Sequence, residues 1–155
     1  MKKIIYLLII VILSLQNVFA TEAFIPDKNQ VILTKESKYF SHKVAWVPTK
    51  EETSKALSAI AIFLQNPEEH KNYSKVAQNK ISLIHKLFLN YRVQFVGIDV
   101  DGKRIIHCNF FPNSESFSYW KESYVFVFDG GYSFWRIDYD INNGRCFNFE
   151  YNGDA

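Results

Sequence analysis

The sequence predicts an α+β domain in which an N-terminal arm and one or two helices pack on a four- to five-stranded antiparallel meander sheet. Three observations carry that reading. Apolar residues recur at helical spacing between residues 49 and 88. From Tyr91 onward the period changes to alternation. The alternating runs are broken by tight-turn pairs, Asp101-Gly102 and Gly130-Gly131. Helices first and strands after place the helices on one face of a single sheet.

Ahead of this domain, Lys2 and Lys3 precede an almost unbroken apolar run from Ile4 to Leu15. Val18 and Ala20 then supply small residues where a signal peptidase reads. The run is about a dozen residues, short of the roughly 20 that span a bilayer. Residues 1–20 therefore read as a cleaved signal peptide, with no transmembrane segment expected after cleavage and the periplasm or the secreted space as the address. No Cys follows the run to carry a lipid. Residues 21–48 read as an extended arm and residues 49–155 as a single domain.

What remains after the leader is one ordinary domain, long enough to bury a core without metal or disulfide staples. Of the 18 Lys and Arg, two lie in the leader, which leaves the rest level with the 16 Asp and Glu. A near-neutral chain has no long-range field for nucleic acid, so no nucleic-acid partner is expected. The 14 Phe, 9 Tyr and 3 Trp fall mostly after residue 87, in the alternating stretch. Large rings give a small domain much buried area per residue, so core packing accounts for most of them.

Within the arm, Gln30–Thr34 has the composition of a short strand, and Phe40 and Trp46 are the rings expected to hold the arm on the domain. Pro48 ends the arm. Thr49 and Glu52 then have the spacing of a capping box, ahead of Ala56, Leu57, Ile60, Phe63 and Leu64 at helical intervals. Asn66-Pro67 restarts the chain. Tyr73, Val76, Ala77, Ile81, Ile84 and Phe88 follow on one helical face, either in one run from Pro67 or in a fresh helix near Ser74.

Five strands are predicted: 91–99, 103–111, 123–129, 132–141 and 145–151. Parity points Tyr91, Val93, Phe95, Ile106, Cys108, Phe110, Trp135, Ile137 and Tyr139 inward, and places Phe147 and Phe149 opposite Cys146, Asn148 and Glu150. On that reading Cys108 and Cys146 lie on opposite sheet faces with two strands between them, beyond disulfide reach.

The chemistry-bearing residues form no known catalytic pattern. His42, His70, His85 and His107 lack metal-ligand spacing, so no metal and no cofactor is expected. Asp99-Val100-Asp101-Gly102 opens like a calcium loop but lacks the distal Glu, and a hairpin turn explains it. There is no G-x-S-x-G elbow, and neither Cys has the neighbourhood of a thiol protease. The one constellation that stands out is the outer sheet face. There Phe126, Phe128 and Phe134 form an aromatic floor edged by Arg92, Gln94, His107, Asn109, Arg136, Asp138 and Glu150, a candidate binding surface. The competing expectation is that residues 24–47 fold over this face and bury the rings. His107 with Asp138 is also a candidate acid–base pair.

A helix leading into antiparallel strands, over residues 49–151, resembles the cystatin-like and NTF2-like superfold; the resemblance rests on element order. The cystatin inhibitors' Q-x-V-x-G hairpin is not matched, because Gln94-Phe95-Val96-Gly97 is one residue short and lies inside a strand. The stretch Asp129-Gly130-Gly131, then Phe134, Tyr139-Asp140 and Asn152-Gly153-Asp154-Ala155, is similar to the C-termini of small secreted bacterial proteins of unknown function. Together these readings imply a non-catalytic binding protein of the bacterial envelope with a protein partner: an inhibitor, an immunity protein or an accessory subunit. A small NTF2-like enzyme or ligand carrier, or a structural envelope component, are the alternatives.

Overall fold

A computed structural model describes residues 25–153; the expected leader, residues 1–20, lies outside the described residues. Two helices, α1 (Lys50–Gln65) and α2 (Lys75–Leu87), pack on one face of an open five-stranded sheet. Its strands are β1 (Gln30–Ile32), β2 (Tyr91–Val100), β3 (Lys103–Pro112), β4 (Trp135–Asp140) and β5 (Arg145–Tyr151), side by side in chain order. The α+β class is as expected, but the sheet is mixed rather than purely antiparallel. β1 runs parallel to β2, with Gln30 opposite Val93 and Ile32 opposite Phe95. Parallel neighbours need a long crossover, and the two helices between them supply it.

The first helix starts where the sequence marks it, and the second takes the later of the two starts the sequence leaves open. Thr49 Oγ1 accepts from the Glu52 backbone N–H at 3.2 Å, and the Glu52 carboxylate accepts from the Thr49 N–H at 2.8 Å. That closes the capping box and satisfies two otherwise orphaned donors. Asn66-Pro67 opens only a single 3-10 turn, Pro67–His70. α2 begins afresh, capped by Ser74 Oγ, which accepts from the Ala77 N–H at 3.2 Å. Ala77, Ile81, Ile84 and Phe88 face the core, whereas Val76, expected beside them, is exposed.

Alternation along β2, β3 and β4 sends the predicted inward residues to the helices. Tyr91, Val93, Phe95, Ile106, Cys108, Phe110, Trp135, Ile137 and Tyr139 join the helix residues in one core. Phe110 and Trp135, directly paired across β3 and β4, stack with centroids 3.8 Å apart and planes within 1°. The β2–β3 turn puts Asp101 and Gly102 both at positive φ, which matches the twist of a two-residue hairpin.

Two further expectations fail. Residues 123–129 are no strand: β3 and β4 pair directly, leaving no slot between them. The stretch instead belongs to an irregular strap, residues 113–134, that crosses the outer sheet face. Its apolar character on both parities reflects a segment pressed on a sheet, with Val125 buried and Phe128 outside. The second failure lies in β5. Asp138 pairs with Phe147 and Arg136 with Glu150, so β5 carries one extra residue there, and Asn148 takes φ 51°. This bulge reverses parity. Phe147 packs on the outer side, while Phe149 and Cys146 pack on the helix side. Cys108 and Cys146 therefore share a face with only β4 between them, not opposite faces, and both are free thiols. Burial raises both, Cys146 to about 12 and Cys108 well above its ordinary range, which keeps them protonated and unreactive.

The arm leaves the sheet at Leu33, crosses the outer face and returns to its edge at Ala45 and Trp46. Ala45 N–H donates to the Gly97 carbonyl at 2.8 Å, and the Trp46 indole N–H donates to the Ile98 carbonyl at 3.0 Å. The Arg104 guanidinium lies 3.8 Å from the centre of the Trp46 ring. Only glycine fits at position 97, because a Cβ would run into the Trp46 carbonyl and ring. Gly97→Ala is expected to cost about 1–3 kcal/mol through this overlap. Urea denaturation measures it, and an unchanged midpoint would contradict the close approach.

Candidate functional site

The candidate site is the outer face of β3, β4 and β5, walled by the arm on one side and the strap on the other. Strand register makes its polar floor. His107 lies opposite Asp138, and Arg136 lies opposite Asn109 on one neighbour and Glu150 on the other. The β5 bulge is what brings Glu150 there: an uninterrupted register running from Asp138–Phe147 would put Phe149 against Arg136 instead.

His107 is held at both ring nitrogens. Nδ1 is 2.7 Å from Asp138 Oδ1, and Nε2 is 2.9 Å from the Tyr124 hydroxyl. With the Nδ1 proton shared with the carboxylate, Nε2 accepts from the phenol. Asn148, at the bulge, donates to the other Asp138 oxygen at 3.0 Å. All three members of the Asp138–His107–Tyr124 row are less than a tenth exposed. Phe40 from the arm covers the row, its ring centre 5.0 Å from His107 and 4.7 Å from Tyr124. Burial pushes the Tyr124 phenol well above its ordinary value; Arg136 opposes this, and the Asp138 and Glu150 carboxylates add to it. The phenol therefore stays neutral.

Further out, Arg136 grips Glu150 through Nε at 2.8 Å and a terminal nitrogen at 2.6 Å. The pair is partly exposed, so its net contribution to stability is small. Between the floor, arm and strap lies a cavity of about 630 Å³, within the range of small-ligand sites. Tyr39 and Phe126 stand at its lip, half-exposed, with ring planes within 3° and centroids 6.5 Å apart.

The ten residues singled out from the sequence divide into three groups. His107, Phe126, Arg136, Asp138 and Glu150 line the cavity together. Gln94 and Asn109 are on the same face but buried, where they fasten the strap. Gln94 Nε2 donates to the carbonyls of Trp120 at 2.6 Å and Ser123 at 2.8 Å, while its oxygen accepts from the Val125 N–H at 2.8 Å and from Asn109 at 3.0 Å. Asn109 also donates to the Val125 carbonyl at 2.9 Å. The remaining three lie apart from the cavity. Arg92 bonds the Glu115 carbonyl and lies against Trp120, Phe134 packs edge-on to Phe117, and Phe128 projects into solvent against Phe126.

The expectation that residues 24–47 bury the outer rings is met only in part. The arm covers Tyr124 and His107 and leaves Phe126 and Phe128 exposed. Sequence reasoning missed Lys38, Tyr39, Ser41 and His42 of the arm, and Tyr124 and Asn148, all of which line the cavity. The arm residues follow no period, and Asn148 depends on a bulge that no local signal announces.

Comparison with known proteins adds no relative: no family model, no curated protein and no solved structure matches the chain. Among the described residues, no group of three His, Cys, Asp or Glu converges to hold a metal ion, and no helix is long and apolar enough to cross a membrane.

Two measurements probe this framework. Gln94→Leu keeps the volume but orphans several buried groups at about 1–3 kcal/mol each. A loss of about 3 kcal/mol or more is expected in urea, with faster proteolysis inside residues 113–134. Titration gives the second. Burial lowers His70, whose Nδ1 has no partner, so the unfolded chain binds its proton more readily and stability falls as pH drops below about 6.5. Burial raises Tyr124 and, to about 12, Tyr91, so stability also falls as pH rises above about 10. His70→Gln flattens the acid limb and Tyr124→Phe the alkaline limb of the urea-midpoint profile; unchanged limbs would contradict these assignments.

Proposed function

We propose that this protein is a non-catalytic binding protein of the bacterial envelope that holds its ligand or partner in the outer-face cavity. The observation that carries the reading is the state of His107. His107 and Tyr124 are each less than a tenth exposed, and their hydrogen bonds run to Asp138 and to one another. The Phe40 ring lies over both, so the row presents little imidazole or phenol surface to a substrate. General acid–base work needs the proton-transfer group within hydrogen-bond reach of the substrate. The row acts as a rigid wall, and the half-exposed rings of Tyr39 and Phe126 supply contact area at its mouth.

Inhibitor, immunity and accessory roles, with a protein partner, all fit such a surface. The envelope address is supported by the leader-like pattern of residues 1–20. Relating the domain to the cystatin-like and NTF2-like superfold is supported by the element order over residues 50–151, two helices followed by four antiparallel strands, with the parallel β1 lying outside that order. A ligand-carrier role is the second reading, favoured by the buried His107 and Asp138 in the cavity wall. In the resemblance that suggested it, the ligand site lies between sheet and helices; in this chain that space is filled by the core.

The test uses the purified chain as bait in envelope extract beside a Phe126→Ala/Phe128→Ala variant. Wild type is expected to retain a component that the variant releases; identical retention by both sinks the binding-face reading. Generic ester and peptide hydrolysis is expected to stay at background, and turnover that His107→Ala abolishes would overturn the non-catalytic assignment.

A further inference from the structure

The charge balance of the cavity narrows what it holds. Its fixed charges are two cations, Lys38 and Arg136, and two anions, Asp138 and Glu150. Each is already engaged. Arg136 grips Glu150, Asp138 accepts from His107 and Asn148, and the Lys38 ammonium lies 4.7 Å from the centre of the Tyr39 ring. With charges of both signs in the wall, an ion of either sign meets repulsion as well as attraction. A purely apolar ligand would strip water from the polar floor without replacing its hydrogen bonds.

Two other ligand classes lack the features they need. A peptide adding as a strand runs along an unpaired sheet edge, whereas the cavity is lined by side chains that project from the face of β3, β4 and β5, of which only β5 has a free edge. A phosphate group favours a helix N-terminus or excess cationic charge, yet α1 and α2 pack on the opposite face of the sheet. What the cavity offers instead is two parallel, half-exposed rings beside side chains that both donate and accept. A sugar ring matches both. Its C–H face is apolar and lies flat on an aromatic ring, and each hydroxyl is donor and acceptor at once.

Building on the reading of this face as a binding site, we propose that the cavity takes a neutral oligosaccharide, seated on Tyr39 and Phe126 with its hydroxyls directed at Arg136, Glu150 and Asn148. The two rings set the position. The paired charges discriminate against anionic sugars, because an incoming carboxylate meets Glu150 as well as Arg136.

The experiment is an NMR titration of the isotope-labelled chain with cellotetraose, maltotetraose and chitotetraose, and with tetragalacturonate as the anionic probe. At least one neutral tetrasaccharide is expected to shift amides of the arm and of β4–β5 with a Kd of about 1 mM or tighter. Tyr39→Ala and Phe126→Ala should each weaken it about tenfold or more. Tyr119→Ala, which removes a similarly exposed ring outside the cavity wall, should leave it unchanged. The proposal is overturned if no neutral probe moves cavity resonances up to about 10 mM, if binding survives both ring substitutions, or if tetragalacturonate binds more tightly. Any of these results, combined with an envelope component still lost on Phe126→Ala/Phe128→Ala, removes the sugar while the binding face stands. The same results combined with identical retention by bait and variant remove both.

Discussion

The outer half of this molecule depends on two buried amides. Gln94 and Asn109 together meet two backbone carbonyls and both polar groups of Val125, so the middle of a long segment with no ladder of its own is satisfied by side chains from the sheet beneath it. Buried backbone groups must be paired somewhere. In this fold two strand residues do what a neighbouring strand would otherwise do. The geometry is demanding: Gln94 uses both N–H donors and accepts twice at its oxygen, and it is fully buried. With the strap fixed, Tyr124 reaches His107 and Phe126 stands at the cavity lip. The site is thus a consequence of how the strap is fastened.

The two sheet faces divide the work. The helix side is packed with aromatic and aliphatic residues, in which the stacked Phe110 and Trp135 join β3 to β4. The outer side holds two smaller apolar clusters under the arm and strap, with a polar region between and beyond them. Charged and hydrogen-bonding groups sit where strand register pairs them, His107 with Asp138 and Arg136 with Glu150. Such pairs add little to folding when exposed. They order a surface without giving it net charge.

How much of this was legible in the sequence follows from how local each signal is. The capping box at Thr49, the Asp101-Gly102 turn and the alternation of β2 to β4 are written within a few residues, and the structure follows them. So is the outward direction of His107, Arg136 and Asp138. The run 123–129 has strand composition, but composition does not say whether a neighbour is free to pair with it, and β4 had already taken the place beside β3. The parity of β5 fails for a related reason. One inserted residue moves Phe147 outward and Cys146 inward, and Asn148 is not a residue whose presence marks a bulge. Tyr39 and Phe40 gain their role from tertiary contacts across the sheet, which no spacing along the chain encodes.

The bulge has a consequence beyond the cavity. β5 is one of the two edge strands, and a straight, regular border would be an invitation for copies of the chain to zip together. With Asn148 in the left-handed region, the hydrogen-bonding rhythm of that border is interrupted partway, so a newcomer finds no long continuous template. The irregularity that sets Glu150 against Arg136 thus also guards the rim against runaway self-association.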